Sequence, residues 1–251
     1  MAGFQADTTF SGGVAGFDLV EAIKGTGVFS NWMMAAADTV TVAGGQIATF
    51  NDLIAPGVTM EQGTPANRAT LSVASFGAWD AAEFVKANNV QYTLAGATFD
   101  PNAAFSMAGS FQRRDADVEN SIVVGTQTGG SNNSFYLGFT AGSATNFLYR
   151  WGGVSITAVV TALDRHWFEA VYDGANCHLR VDGGAWQSAA KTGAPTAGGL
   201  LTWGNSQTGS AGNRFDGRAT DLLWGTGNVK TNATALALLD EYRKGLLGIG
   251  A

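Results

Sequence analysis

The chain has 251 residues, of which 45% are hydrophobic, which suits one large domain with a sizeable core or a domain with an added arm. Its net charge is −6, and no basic cluster exceeds the pair Arg113-Arg114, which excludes a basic groove for nucleic acid. The single cysteine, Cys177, excludes an internal disulfide and a cysteine-based zinc cluster.

Only 14% of residues are charged, against roughly a quarter in an average soluble domain. A neutral, Gly- and Ala-rich surface favours a protein that sits against neighbours, and homo-oligomers are compatible with it. The opening MAGFQADTTF has neither a basic n-region nor an apolar h-region, so no export signal is expected. No run approaches the roughly 18 apolar residues of a membrane span, so no membrane insertion is expected.

Residues 1–30 are Gly-rich and carry one short amphipathic stretch, in which Phe17, Val20 and Ile23 recur at three-residue spacing. This segment reads either as an attachment arm, with Phe4, Phe10, Phe17, Val20 and Ile23 as its anchors, or as a cap on the main domain. From Asp38 the period changes. Thr39–Val42, the Gly44-Gly45 turn and Gln46–Phe50 predict a β-hairpin. Leu71-Ser72-Val73 continues the strand signal, and residues 78–88 predict a short helix or a loop turn.

Beyond Asn89 strands are predicted at Tyr92–Leu94, Phe105–Gln112, Ser121–Thr126, Ser134–Thr140, Phe147–Trp151 and Ile156–Val160. The series continues with His166–Tyr172, Cys177–Val181, Leu200–Gly204 and Arg214–Trp224. Short strands at this spacing, separated by Gly-, Ser- and Asn-rich connectors, indicate a sandwich or barrel. Two Asp-Gly turns, Asp173-Gly174 and Asp182-Gly183, flank Cys177–Val181 and predict an antiparallel meander. One helix closes the chain from Ala233 to Leu246, with Asn232 as N-cap and Gly245 or Gly248 as its stop.

Several of these residues resemble a known family. HWFEAVYDGANCHLRVDG, GGLLTWGNS and NRFDGRATDLLWGTG, followed by a helix, are similar to the second half of a laminin-G-like, concanavalin A-like jelly roll. The matching positions are Tyr172, Asp173 and Gly174; Val181, Asp182 and Gly183; and Phe215, Gly217 and Asp221. In the first half Trp32, Asp38, Phe50 and Asp52 match the family's opening Trp, Asp, hairpin and aromatic-x-Asp. The resemblance implies an all-β, two-sheet antiparallel jelly-roll sandwich over residues 31–251, with a short C-terminal helix and the N-terminal arm. Lectins, glycanases, adhesion modules and phage structural proteins share this fold, so fold alone selects no function.

Retaining glycosidases need two carboxylates about 5 Å apart. The glutamates Glu21, Glu61, Glu83, Glu119, Glu169 and Glu241 show no such pairing, and Glu169 alone lies in a strong strand. Neither a Gly-x-Ser-x-Gly elbow nor a phosphate-binding loop is present, so a non-enzymatic protein is expected. His166 and His178 lie on consecutive strands but lack a third partner for a metal. The resemblance implies a calcium site at Asp173, Asp182 and Asp216, although Asp-Gly turns form without metal and the cofactor expectation is none. For stacking on sugar rings the candidates are Trp151, Trp186, Trp203, Trp224 and Tyr149, with Trp186 expected to be exposed because it follows a turn.

The chain therefore reads as a decoration or minor structural protein on a phage-like virion surface, assembled in the host cytoplasm. Its partners would be other virion proteins, with glycan binding as an added capacity. An exported carbohydrate-binding lectin or adhesin is the alternative, and a polysaccharide-degrading enzyme is the third reading.

Overall fold

The computed structural model describes residues 19–76, 79–114, 121–126, 135–139, 142–195, 200–205 and 214–248. The described chain is all-β apart from helices α1 (Leu19–Gly25) and α2 (Ala233–Leu247) and short 3-10 turns. Its strands are β1 (Asn31–Met34), β2 (Val40–Ala43), β3 (Gln46–Asn51), β4 (Thr59–Glu61), β5 (Thr70–Phe76) and β6 (Trp79–Phe84). They continue with β7 (Tyr92–Ala95), β8 (Phe105–Arg113), β9 (Ser121–Gly125), β10 (Phe135–Phe139), β11 (Asn146–Trp151) and β12 (Val154–Val159). The last are β13 (Arg165–Tyr172), β14 (Asn176–Val181), β15 (Gln187–Ala190), β16 (Thr202–Trp203), β17 (Gly217–Ala219) and β18 (Asp221–Gly225).

Antiparallel pairing builds two layers. One runs β15-β14-β13-β8 and then β17 and β18, with β1 beyond β18 and β6 and β5 beyond β17. The other runs β2-β3-β4-β7-β16-β9-β10-β11-β12. A pairing of Gln46 with Thr70 and an isolated bridge between Met33 and Asp52 join them. Side chains alternate between faces along each strand, and the inward set forms the main core, including Phe50, Phe84, Phe111, Phe135, Phe147, Phe168 and Trp203. This is the two-sheet sandwich that the sequence predicts.

The first layer buries its outer face as well. Trp32, Ala108, Trp167, Val171 and Leu223 point outward from their strands into a second core formed with Leu19 and Ile23 of α1 and Leu239, Tyr242 and Leu246 of α2. Tyr242 stands edge-on to Trp32, Trp79 and Trp167, with ring centroids 5.3, 5.5 and 5.6 Å away. Asn232 caps α2 by accepting from the Ala235 N–H, and Gly248 ends it at φ 70°.

Two sequence expectations change. Residues 79–84 form strand β6, because Ala81 and Ala82 alternate between the two cores; a 3-10 turn at Lys86–Asn88 follows. The segment read as Arg214–Trp224 breaks at Thr220 into β17 and β18, which pair outward with β6 and β1 respectively. Of the N-terminal segment, the described residues from Leu19 on pack against the domain, as the cap reading has it. Ile23 is buried at 1% exposure, Val20 packs against the same cluster, and Val28 and Phe29 are core. Phe4, Phe10 and Phe17 lie outside the described residues.

Candidate functional site

The aromatic residues proposed as sugar platforms separate cleanly. Trp151 is buried, stacked 4.1 Å from Tyr172, and donates through Nε1 to the Pro101 carbonyl at 2.7 Å. Tyr149 is completely buried, and burial, with Cys177 alongside, pushes its phenol well above the usual range. Trp203 and Trp224 belong to the main core. None of these four can meet a sugar ring, because the inner-face positions of a sandwich are sealed by the opposite sheet. Trp186 differs. It is half-buried just past the β14–β15 turn, with the Arg180 guanidinium 6.0 Å from its ring centroid.

The three turn aspartates do not form a metal site. Asp173 and Asp182 stand at opposite ends of the six-residue strand β14, so about 17–20 Å of chain separates them. Asp216 lies before β17, accepts from the Lys86 N–H and pairs with Arg114. Asp182 accepts the Trp167 N–H at 2.8 Å and His166 Nδ1 at 2.6 Å. Among the described residues no group of three or more His, Cys, Asp or Glu is placed to hold a metal ion. The turn chemistry itself is as expected: Asp182 and Gly183 take φ of 52° and 70°, the left-handed pair of a tight hairpin.

The two histidines have different surroundings. His166 places Nδ1 against Asp182 and Nε2 2.7 Å from the Thr161 carbonyl, so both nitrogens face acceptors. Burial opposes its charge, but those two contacts outweigh burial and raise its pKa. It acts as an ionic staple between the loop before β13 and the β14–β15 turn. His178 lies on the outer face of β14, opposite Ser188 of the edge strand β15. Its Nε2 is 2.9 Å from Asp173 Oδ2, its Nδ1 is 2.6 Å from Ser188 Oγ, and Lys230 Nζ is 3.1 Å from the same Nδ1.

One row along the same face, Arg180 bonds Asp240 of α2, while Arg243 donates to the Asp182 carbonyl at 2.9 Å. Glu169 lies beneath them, completely buried. One of its oxygens accepts Trp167 Nε1 at 2.9 Å and the other is 3.9 Å from Arg180 Nε. Burial pushes its carboxyl up to about 7, with Arg180 opposing. Glu169 is therefore sealed under α2, while the other strand glutamates of the described residues, Glu61 at the end of β4 and Glu83 in β6, lie elsewhere.

The rim where α2 and the Val229–Thr231 turn overhang the β14–β15 edge thus gathers Trp186, Arg180, Asp240, His178, Ser188 and Lys230. Sequence reasoning singled out Trp186 and His178 but not their companions. The available signal was hairpin register, since the two Asp-Gly turns bring Asp173, His178 and Ser188 side by side.

Comparison with known proteins supports the fold. No protein-family model matches the chain, and no curated protein matches it either. Among solved structures, domain 4 of AbnA, an extracellular arabinanase from Geobacillus stearothermophilus solved with arabinotriose, superposes with a TM-score of 0.55 at 12% identity, over 84% of this chain and 97% of that one. The binding domain of Paraclostridial Mosquitocidal Protein 1 gives 0.55 at 11% identity, over 88% of this chain and 52% of that one. A Trypanosoma rangeli sialidase gives 0.55 at 10% identity; the match takes in 87% of this chain but only 33% of the sialidase, so this chain spans about a third of that enzyme. At such identities the shared property is the β-sandwich fold of the matched parts.

Proposed function

We propose that this chain is a glycan-binding β-sandwich carried on a larger assembly, a virion surface being the setting that its composition favours. The observation that carries the reading is Trp186. Of the candidate aromatics it alone is not fully buried; its ring lies beside Arg180, which bonds Asp240, and Ser188 follows two residues on in the same hairpin. An aromatic face flanked by a guanidinium, a carboxylate and a hydroxyl is the combination by which proteins hold a sugar ring: the apolar face of the ring stacks while its hydroxyls are bonded at the edge. The fold shared with a domain solved in complex with arabinotriose supports the same reading. Low charge and a Gly-, Ala- and Thr-rich composition favour neighbours in a lattice.

The test is glycan-array screening of the purified protein followed by calorimetry on the best ligand. Trp186→Ala is expected to weaken binding at least tenfold with an unchanged melting temperature. Binding unaffected by that substitution would remove Trp186 from the site. The assembly part is tested separately, by whether the protein co-sediments with particles from its source.

A further inference from the structure

The line Asp173–His178–Ser188 on the same rim has a chemistry of its own. Ser188 is exposed on the edge strand, whereas the side chains of His178 and Asp173 are 6% and 26% exposed. Burial would raise the Asp173 carboxyl, but bonds from His178 and from the N–H groups of Asn176 and Ala175 hold it well below the usual carboxylate range, so it is ionised. An ionised acceptor 2.9 Å from Nε2 fixes the imidazole proton there. The lone pair is then on Nδ1, facing the Ser188 hydroxyl at 2.6 Å. This is the order nucleophile, base, orienter, with the two ring nitrogens exchanged relative to the serine-protease arrangement. The charged groups facing His178 are Asp173 from the β13–β14 turn and Lys230 from the turn before α2, whose ammonium is also on the Nδ1 side. His166 differs, because both of its nitrogens face acceptors and neither faces a hydroxyl.

We propose that Ser188 is a nucleophile toward small acyl esters, with His178 as its general base and Asp173 positioning the imidazole. Ser188 Oγ attacks the ester carbonyl carbon and its proton passes to His178 Nδ1, while the Lys230 ammonium faces the negative carbonyl oxygen. The carbon–oxygen bond to the alcohol breaks, and the alcohol leaves with the proton from Nδ1. Water then attacks acyl-Ser188 and gives a proton to Nδ1. As the acid leaves, that proton returns to Ser188 Oγ. Trp186 on the same face would make O-acylated sugars the preferred esters; this last step alone rests on the glycan-binding reading.

The probe is diisopropyl fluorophosphate on the full chain, read by intact mass and peptide mapping. One adduct per chain at Ser188 is expected, none in Ser188→Ala, and labelling at least a hundredfold slower in His178→Gln with an unchanged melting temperature. Asp173→Asn keeps the Oδ1 acceptor of the turn but loses the charge. It is expected to slow labelling at least tenfold and to shift its pH profile, which a purely structural aspartate would not do. Labelling of the unsubstituted chain by this small probe needs no bound glycan, so the two readings fail separately. Absence of an adduct, an adduct at another residue, or undiminished labelling of His178→Gln would overturn the proposal.

Discussion

Asp221 is enclosed on the α2 side of the sheet, at 1% exposure. Burial pushes it up to about 7, and the side chains of Tyr242, Ser110 and Trp32 turn toward it without reaching strict hydrogen-bond geometry. Glu169 behaves alike, and His166 is raised as well. For all three the folded state binds the proton more tightly than the unfolded chain. For the two carboxylates this contribution is complete below their unfolded values of 3.8 and 4.5 and is lost as pH rises through about 7, whereas for His166 it is complete below 6.5 and is lost above it. Melting temperature is expected to fall between pH 5 and pH 8, and Asp221→Asn to flatten that slope; a melting temperature rising over this range would contradict the assignment. The family-like positions also have structural work here. Asp52 accepts the N–H groups of Trp32, Ile54 and Ala55 and the Asn31 amide, and the Tyr172 hydroxyl donates to the Gly174 carbonyl. Their types were legible in the sequence. Which carboxylate is turned inward was not, because only the assembled sheet and α2 decide which face of β13 and β18 is covered.

At the scale of elements, α1 and α2 convert an outer sheet face into a second core. Tyr242 locks α2 against three tryptophans, so Tyr242→Ala is expected to cost about 3–5 kcal/mol in chemical denaturation. The N-terminal helix has the same role. Leu19, Ile23, Val28 and Phe29 are buried, each worth about 1.5–3 kcal/mol. Deleting residues 1–30 is therefore expected to destabilise the domain by several kcal/mol, measured as a lower denaturation midpoint; a truncated domain of native stability would restore the independent-arm reading. The strands from β7 onward and the α2 caps were legible from alternation and from Gly, Asn and Asp punctuation. Strand β6 was not, since the alanines of AWDAAEF suit a helix as readily and only pairing with β5 and β17 selects the extended form. The docking of α1 was not legible either, because a two-turn amphipathic stretch reads the same whether its apolar side meets its own domain or a neighbour.

At the scale of the whole molecule, the two faces of the sandwich are used differently. The helices cover the middle of the first sheet, and along its β14–β15 edge the half-buried Trp186, the Arg180–Asp240 pair and the Asp173–His178–Ser188 line lie close together. The sequence separates these groups by up to 67 residues, from Asp173 to Asp240, and hairpin register together with α2 docking unites them. Conversely, Trp151 and Tyr149 look like surface aromatics beside a Gly-Gly turn, yet closure of the sandwich buries them. Calorimetric titration of the intact chain with the ligand found by glycan array, run in parallel on Trp186→Ala and Trp151→Phe, tests the central claim most directly. Saturable binding weakened at least tenfold by Trp186→Ala and retained by Trp151→Phe is the predicted result; equal binding by all three proteins, or no glycan bound by any, would contradict it.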